Sequence, residues 1–409
     1  MIKMNMMRNG FIATALFLLS AITAFGQGTS SGSGSVLGQE QDGNPIITAV
    51  PFLTIAPDAR SSGMGDVGAA TSPDANSVYW NASKLPFAKD KYGVSLAVNP
   101  WLHKVVDDMF ISYLSGYYKI NDRQVISGSM RYFELGSIDF TNEFAQVTRT
   151  FDPREFSFDA NFSMLLSERF SMGLGARYIY SNLAGSVNSS SNGLDSRPGH
   201  SVAFDLNAYW QNPDLEIAGY KTLWALGANV SNVGLKMSYS TNSQEDFIPS
   251  NLRLGSALTA ELDPYNKLTW AFDVNKLLVP TPEYDENGVN VNADKALFSG
   301  IFGSFADAPG GFSEEMKEFM ISTGLEYWYN EMFAARFGYF YESPQKGDRQ
   351  YFTLGVGIRY QMFGFDFSYL IANKRNHPLE DTLRFTIMLN MAGKQQKSSQ
   401  GPGSLGNDI

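Results

Sequence analysis

Few residues in this sequence have the types and spacing of a chemical site. Gly63, Gly65 and Gly68 match the G-x-G-x-x-G spacing with which a loop holds the pyrophosphate of a dinucleotide. That chemistry requires a buried strand directly before the glycines, whereas Pro57 and charged residues precede them here. We therefore interpret the three glycines as tight turns of a packed segment.

The other groups that could do chemistry are isolated from one another. The 3 histidines lie apart, and none belongs to a metalloprotease, hydrolase or phosphate-loop motif: His103, His200 and His377. Acidic residues share one long loop without the fixed ligand spacing of a Ca²⁺ site: Glu283, Asp285, Glu286 and Asp294. Because the chain has no cysteine, thiolate metal sites and disulfides are excluded. The sequence therefore predicts no catalytic residue, no metal and no cofactor.

The composition excludes several classes of protein. Charged residues make up 18% of the chain, against roughly 25% in an ordinary soluble domain. The net charge of −10 argues against nucleic-acid binding, which needs a basic surface. Outside the amino terminus, no apolar run reaches the ~18 residues of a membrane helix. The sequence is thus neither that of an ordinary cytosolic enzyme nor that of a helical membrane protein.

The amino-terminal residues predict an exported chain. Lys3 and Arg8 precede an apolar run over residues 11–25, and Ala24 and Gly26 suit a cleavage site. The run is too short for a membrane anchor, so residues 1–26 are predicted to be a removable signal peptide. Residues 27–45 are rich in Gly, Ser and Gln and predict a flexible linker, and the polar residues 392–409 predict a periplasmic tail.

Between residues 92 and 391, apolar and polar residues alternate in long runs separated by breaks. In one run, Leu268, Trp270, Phe272 and Val274 alternate with polar or small residues. A period of two is the pattern of a strand with one apolar face. It predicts fourteen strands: 92–98, 109–120, 124–134, 155–165, 170–182, 200–211, 220–231, 251–262, 266–276, 319–329, 332–343, 350–361, 363–371 and 383–391.

The number and length of these strands predict the architecture. An even number of long strands, with short turns at one end and long loops at the other, is typical of an outer-membrane barrel. A soluble β-sandwich is the alternative, but its strands average nearer 5–6 residues. The predicted fold is therefore all-β: a 14-stranded antiparallel transmembrane β-barrel over residues 92–391. The even strand count predicts that both termini lie in the periplasm.

The charges on the polar faces predict which side looks inward. A lipid-facing Arg or Lys near the membrane midplane costs about 2–4 kcal/mol, so the charged face is predicted to line the lumen. Its charges nearly balance, which favours a cross-linked, closed interior over an ion-selective pore. On the other face, Lys119, Glu134 and Lys276 lie at strand ends, where headgroups begin. The predicted lumen network comprises Arg131, Asp159, Arg177, Asp205, Arg253, Asp273, Glu326, Arg336, Arg359 and Asp366.

Residues 46–91 predict an amino-terminal plug. They are too rich in Gly, Asp, Asn and Ser to form a spanning strand, so we expect them to fill the periplasmic half of the lumen. Their large apolar residues are expected to be buried there: Met64, Val67 and Trp80. Their polar residues are expected to bond to lumen arginines or to the backbone: Asp66, Asp74 and Asn81.

The long loop over residues 277–318 carries an apolar cluster. Large apolar side chains lie within nine residues: Leu297, Phe298, Ile301, Phe302 and Phe305. Exposed apolar clusters usually mark interfaces, which predicts contact with a partner or cargo protein. The loop can equally fold over the barrel mouth as a small core of its own, and the two interpretations are compatible.

Several segments resemble a known family. The sequence is similar to FadL-like barrels in its plug and barrel plan, and more narrowly it resembles the PorV (LptO) family of outer-membrane proteins of the Bacteroidetes type IX secretion system. The resemblance runs from about residue 46 to residue 391. It rests on residues 51–60, 63–68, 72–81, 306–312, 324–330, 338–342 and 378–385.

The resemblance implies a function without catalysis. Proteins of this family dock beside the type IX translocon barrel, accept secreted cargo by its C-terminal signal domain, and pass it to a surface sortase complex. Outer-membrane lipid and lipopolysaccharide would surround such a barrel. Two alternatives remain: a FadL-like transporter of hydrophobic small molecules, and a barrel enzyme acting on lipid A or phospholipid. A transporter predicts a continuous apolar passage, and an enzyme predicts a polar catalytic cluster near the outer leaflet.

Overall fold

A computed structural model of the chain describes residues 43–102, 108–183, 185, 187–189, 194–240, 245–286, 290–374 and 377–391. The predicted signal peptide and tail, and all but the last residues of the predicted linker, lie outside the described residues. No helix in these ranges is both long and apolar enough to cross a membrane.

Fourteen strands form one closed antiparallel barrel, which confirms the predicted fold. Two further hairpins, β4–β5 and β8–β9, lie within the predicted long loops. The strands are β1 (Tyr92–Pro100), β2 (Phe110–Lys119), β3 (Gln124–Glu134), β4 (Ile138–Thr141), β5 (Val147–Phe151), β6 (Arg154–Ser167), β7 (Phe170–Asn182), β8 (Val187–Ser189), β9 (Leu194–Ser196), β10 (Gly199–Ile217), β11 (Tyr220–Gly234), β12 (Asn251–Glu261), β13 (Asn266–Leu277), β14 (Phe319–Tyr329), β15 (Phe333–Tyr341), β16 (Gln350–Tyr360), β17 (Phe363–Ala372) and β18 (Leu383–Met391).

The barrel closes where the first strand meets the last. Tyr92 of β1 lies opposite Met391 of β18, and every other barrel strand pairs with its neighbours in chain order. The longest strand, β10, extends past the predicted residue 211 because a register shift after Asn212 lets pairing with β11 continue. Such a bulge tolerates the proline at position 213, where the alternating pattern stops.

The two faces of the barrel wall are inverted relative to a soluble protein. In β1, Val94, Leu96 and Val98 point outward and are exposed, whereas Ser95 and Asn99 point inward and are buried. A wall that is apolar outside and polar inside suits a hydrocarbon surrounding, because lipid cannot hydrogen bond to exposed polar groups. The predicted assignment of the charged face to the lumen agrees with this arrangement.

We call residues 43–91 the lumen segment, the barrel end with the long loops the mouth, and the opposite end the turn end. At the mouth, the backbone of Asn44 donates to the carbonyl of Gln345. At the turn end, Lys89 pairs with Glu331. Between these points the chain forms short helical turns inside the barrel: Pro51–Thr54, Ala59–Ser62, Ser77–Trp80 and Ala82–Phe87.

This path corrects one expectation. The lumen segment occupies the barrel from mouth to turn end and not only its periplasmic half. Gly43, where the description of the chain starts, lies at the mouth next to Asn44, whereas Met391 lies at the turn end opposite Tyr92. These two points lie at opposite ends of the barrel. The expectation that both termini lie in the periplasm concerns residues outside the described ranges and stays a prediction. An even strand count places the start of the first strand and the end of the last strand at the same end of the barrel. It does not locate Gly43, because the lumen segment passes once through the barrel interior before the first strand begins.

Candidate functional site

An ionic network in the part of the lumen nearer the turn end joins the lumen segment to the wall. Arg60 of the lumen segment donates two bonds to Glu326 of β14, at 2.7 and 2.9 Å, and one to Asp74 at 2.8 Å. Arg336 of β15 donates to Glu326 and to Asp366, each at 2.8 Å. Arg359 completes the chain of contacts by donating to Asp366 at 2.7 Å. Several predicted lumen charges are therefore brought together around one arginine that the prediction did not include.

A second network lies nearer the mouth. Arg177 of β7 contacts Asp159 of β6 and Asp205 of β10, and its side chain is 6% exposed. Two other predicted wall charges bond to the backbone of the lumen segment. Arg131 donates to the carbonyl oxygens of residues 52 and 53, and Asp273 accepts from the amides of residues 68 and 69. A buried charge without a partner is strongly destabilising. In these contacts each buried wall charge has a carboxylate, a guanidinium or a backbone group as its partner.

The predicted residues of the lumen segment contact the wall or one another. Asp66 accepts from Tyr351 at 2.6 Å and lies 3.3 Å from Arg384, and Asn81 donates to the carbonyl of Ala208 at 2.9 Å. Asp74 bonds to Arg60, an arginine of the lumen segment itself, and not to a wall arginine. The predicted apolar residues, Met64, Val67 and Trp80, are 0%, 0% and 2% exposed.

The glycines of the G-x-G-x-x-G spacing let the lumen segment approach the wall. Gly65 has a φ of +74°, and a Cβ there would lie 2.6 Å from the backbone nitrogen of Tyr339. A Cβ on Gly68 would lie 2.2 Å from the ring of Trp80. The glycine spacing therefore serves close packing within a packed segment, as we interpreted it from the sequence. A side chain at position 65 would push the lumen segment away from the wall, and one at position 68 would push it away from Trp80.

Sequence reasoning missed three charged residues of the lumen segment. Asp58 is 0% exposed and accepts from the indole of Trp80 at 2.6 Å, and Arg60 is 6% exposed. Lys84 is 1% exposed and donates to the carbonyl of Gly68 at 2.6 Å. The sequence contained a signal for them: they are charged residues in a segment that was predicted to be enclosed by the barrel. A buried charge requires a polar partner, so each of them could have been predicted to take part in the lumen contacts.

At the mouth, the segment between β13 and β14 is clamped to the rim. Lys276 points outward from β13, and the prediction placed it among lipid headgroups. Its side chain is instead 0% exposed, because Glu315 and Glu318 cover it at 2.7 and 2.6 Å. Lys346 joins the cluster by donating to Glu314 at 2.6 Å and to Glu318 at 3.0 Å. Partial burial raises the pKa of Glu314, but Lys346 and a backbone amide outweigh it and hold that pKa below its ordinary value.

The predicted apolar cluster of this loop is divided between two faces. Ile301 is 7% exposed and Leu297 is half-buried, so these two offer a partner less surface than the rest of the cluster, and their role as contact residues stays a prediction. Their helix, Leu297–Gly303, turns them toward the barrel because Gly300 packs on Phe247. The side chains that remain exposed form what we call the loop patch: Phe298, Phe302, Phe305, and two that the prediction omitted, Phe312 and Met316.

Between the lumen segment and the mouth loops lies a cavity of about 270 Å³. Apolar side chains such as Leu53, Leu277 and Phe340 form part of its lining, and polar side chains of both charges, together with asparagines, form much of the rest. We call it the mouth cavity. No sequence pattern predicted it, because its lining comes from the lumen segment, six strands and two loops.

The residues considered first as catalytic or metal ligands are not gathered into a site. His200 lies on the outer face and contacts the hydroxyl of Tyr178 through Nδ1 at 2.7 Å, and His377 accepts a loop amide. His103 lies outside the described residues. Among the residues that the structure describes, no group of three or more His, Asp or Glu side chains could hold a metal ion.

A closed barrel with an apolar outer face, a charged lumen and long loops at one end defines an outer-membrane β-barrel protein. Within this class, residues 38–284 match the family described as type IX secretion system protein PorV. The chain belongs to this family and is therefore an outer-membrane component of that secretion system. None of the curated proteins matches the sequence.

Solved structures with a related fold include transporters of small molecules. The Pseudomonas putida toluene transporter TodX is 12% identical, covers 81% of this chain and 96% of its own, and gives a TM-score of 0.46. The Ralstonia pickettii toluene transporter TbuX is 10% identical, covers 82% and 98%, and gives 0.45. A Pseudomonas aeruginosa FadL homologue is 10% identical, covers 85% and 99%, and gives 0.42. These likenesses concern the fold alone.

Proposed function

We propose that this protein is a sealed, non-enzymatic adaptor of type IX secretion. In this proposal it binds the translocon barrel and the C-terminal signal domain of secreted cargo, and it delivers the cargo to the surface sortase complex. The observation that carries the proposal is the family match over residues 38–284. We assign the chain no catalytic residue and no cofactor.

The filled lumen supports a protein that binds partners on its surface and argues against one that transports solutes through the barrel. Arg60, Glu326 and Arg336 form buried ion pairs that join the lumen segment to the wall. A transporter of hydrophobic molecules would need a continuous apolar passage, whereas here charged groups lie between the lumen segment and the wall. We therefore propose that the lumen segment acts as a permanent plug and that partners are bound by the mouth loops.

The loop patch is the surface that we assign to a protein partner. Phe302 and Phe312 are 75% and 79% exposed, although the rest of the loop is clamped by Lys276 and Lys346. Burying one large apolar side chain is worth roughly 1.5–3 kcal/mol, and a few residues usually carry most of the energy of an interface. Two or three residues of the loop patch are thus enough to anchor a partner.

Replacing Phe298, Phe302 and Phe305 together with Ser tests this assignment. Because these side chains are exposed, the barrel should still reach the outer membrane, while co-purification of the translocon and display of cargo on the cell surface are lost. Mass spectrometry of tagged protein from outer membranes measures the first effect, and surface labelling of cargo measures the second.

A matched control is available in the loop that carries the β4–β5 hairpin. Phe140, Phe144 and Val147 are 40%, 73% and 57% exposed there, and their triple replacement with Ser removes similar apolar area elsewhere at the mouth. The control variant should still co-purify with the translocon and should still display cargo on the cell surface. If the loop-patch variant also keeps them, the loop is only a lid and the interface lies in another mouth loop.

A further inference from the structure

The mouth cavity has the size and lining of a small ligand site. Its volume of about 270 Å³ lies just below the roughly 300–1,000 Å³ of ordinary small-molecule pockets. Leu53, Leu277, Met320 and Phe340 supply apolar surface, and the amides of asparagine side chains face them. This mixture suits a ligand with a short apolar body and one polar end.

The charges of the lining leave one cation without a counter-ion. Seven charged side chains line the cavity, and six of these lie in ion pairs: Asp66 with Arg384, Arg177 with Asp159 and Asp205, Glu318 with Lys346, and Glu342 with Arg349. The seventh is Arg253, which forms no ion pair with any side chain in the described part of the chain.

Arg253 is held in place although its charge is unpaired. It is 8% exposed, and its Nε donates to the side-chain oxygen of Asn275 at 2.7 Å. Its guanidinium carbon lies 4.5 Å from the ring centre of Trp80 and 5.3 Å from that of Tyr79. Its two terminal nitrogens donate to none of the described residues, so a rigid pair of donors is left free at the cavity.

An amide beside Arg253 is free in the same way. Asn251 lies two residues before Arg253 on β12, so both side chains point inward. It lines the cavity and is 7% exposed. Its side-chain amide contacts no polar group of the described residues. Asn275, directly across from Arg253 on β13, uses its oxygen for Arg253 and leaves its NH₂ group free. Three unused donor groups therefore line one cavity, and none of them is among the fully enclosed unpartnered atoms of the described residues, so an acceptor that enters the cavity can reach them.

We infer that the mouth cavity binds a carboxylate at Arg253, with Asn251 and Asn275 as additional donors. The planar guanidinium matches a carboxylate in a two-bond geometry. Arg253 has no ion-pair partner, but the carboxylates of Asp205 and Asp273 lie near enough to interact with its charge. They would repel a second negative charge, which favours a carboxylate over a doubly charged phosphate. The apolar part of the lining then receives the short body that carries the carboxylate.

Two sources could supply such a group. One is a free short organic acid, and the other is the terminal carboxylate of a polypeptide that enters through the mouth. The second source rests on the function proposed above, whereas the first does not. Both share the same chemistry at Arg253, so the experiment has an arm for each.

Calorimetry on the purified full chain in detergent tests the site. The probes are phenylacetate with its neutral analogue phenylacetamide, and the tripeptide Gly-Ala-Leu with a free or an amidated carboxyl terminus. Each acid that fits should bind at least about tenfold more tightly than its amide, because the amide lacks the charge that the guanidinium pairs with. Binding by the peptide acid alone identifies a polypeptide terminus, and binding by phenylacetate identifies a free acid.

Three variants assign the binding to Arg253. Arg253→Gln should abolish acid binding, and Arg253→Lys, which keeps the charge but not the planar fork, should weaken it. Arg169→Gln removes the same charge from an exposed pair with Asp214 at the turn end and should bind as the native chain does. Heat-modifiable gel mobility shows whether each variant is folded.

Several results would overturn the inference: neither acid binds the native chain, acid and amide bind alike, or folded Arg253→Gln binds as well as the native chain. The comparison of acid with amide needs no variant, so it decides the matter even if Arg253→Gln does not fold. Binding to purified protein is also independent of secretion. A chain that binds no acid but still displays cargo therefore rejects this site and leaves the proposed function intact.

Discussion

At the scale of single residues, Glu326 connects the lumen segment to the wall. It is 1% exposed and accepts from Arg60 of the lumen segment and from Arg336 of the neighbouring strand. Its loss would leave two buried guanidinium groups short of a counter-ion. Because Arg60 lies 266 residues away in sequence, this one carboxylate ties the lumen segment to a strand that is distant in the chain.

We therefore expect Glu326→Gln to destabilise the barrel by about 3–5 kcal/mol, the usual result of breaking a buried ion pair. Denaturant titration in micelles measures the free energy of unfolding. Glu331→Gln is the control, since Glu331 pairs with Lys89 and Lys267 at the surface and is 59% exposed. That variant should change stability by less than about 1 kcal/mol. Equal effects of the two variants would contradict a structural role for the buried network.

At the scale of elements, the lumen segment has little regular structure but many partners. Its helical turns are short, and its position depends on wall groups such as Asp273 and Arg131, which bond to its backbone. A segment held mainly by contacts to its surroundings cannot keep its place once those contacts are removed. The barrel strands, by contrast, hydrogen bond to one another all round, and no residue of the lumen segment takes part in that pairing.

Deleting residues 60–84 should therefore leave a folded barrel with an open lumen. We expect the deletion variant to conduct ions in planar bilayers, where the parent protein does not. Heat-modifiable mobility verifies that the barrel has formed. Deleting residues 139–150, most of the β4–β5 hairpin, is the control and should leave the lumen closed. The plug proposal fails if the 60–84 variant conducts no better than the parent.

At the scale of the whole molecule, the chain enters the barrel at its mouth. Gly43 is exposed there, and the lumen segment then descends to the turn end before β1 begins. Long loops of outer-membrane barrels face outward and short turns face the periplasm. We therefore propose that the carboxyl-terminal end of the barrel faces the periplasm and that Gly43 faces the outside of the cell.

The absence of native cysteine allows a direct test of this topology. Single cysteines at exposed positions, Glu143→Cys in a mouth loop, Gly43→Cys and Asp122→Cys in a short turn, are treated with an impermeant maleimide. On intact cells the first two should be labelled, and Asp122→Cys should be labelled only after permeabilisation. The reverse pattern would invert the barrel, and an unlabelled Gly43→Cys beside a labelled Glu143→Cys would contradict the path of the lumen segment.

The sequence by itself determined the barrel and its two faces. Alternation such as that of Val94, Ser95 and Leu96 is a local pattern, and the cost of a charge in lipid assigns the polar face to the lumen without knowledge of any contact. The family resemblance was likewise carried by continuous segments, and the family match confirms it. These conclusions needed no knowledge of which distant residues meet.

Only the tertiary structure decided how the charges are used. Arg60 meets Glu326 across 266 residues of sequence, Lys276 is covered by a loop that follows it, and Arg253 remains without a counter-ion. None of these outcomes follows from composition or period, because each depends on strand register and on the path of the lumen segment through the barrel. The sequence specifies which residues carry charge, whereas the closed barrel decides which of those charges find a partner.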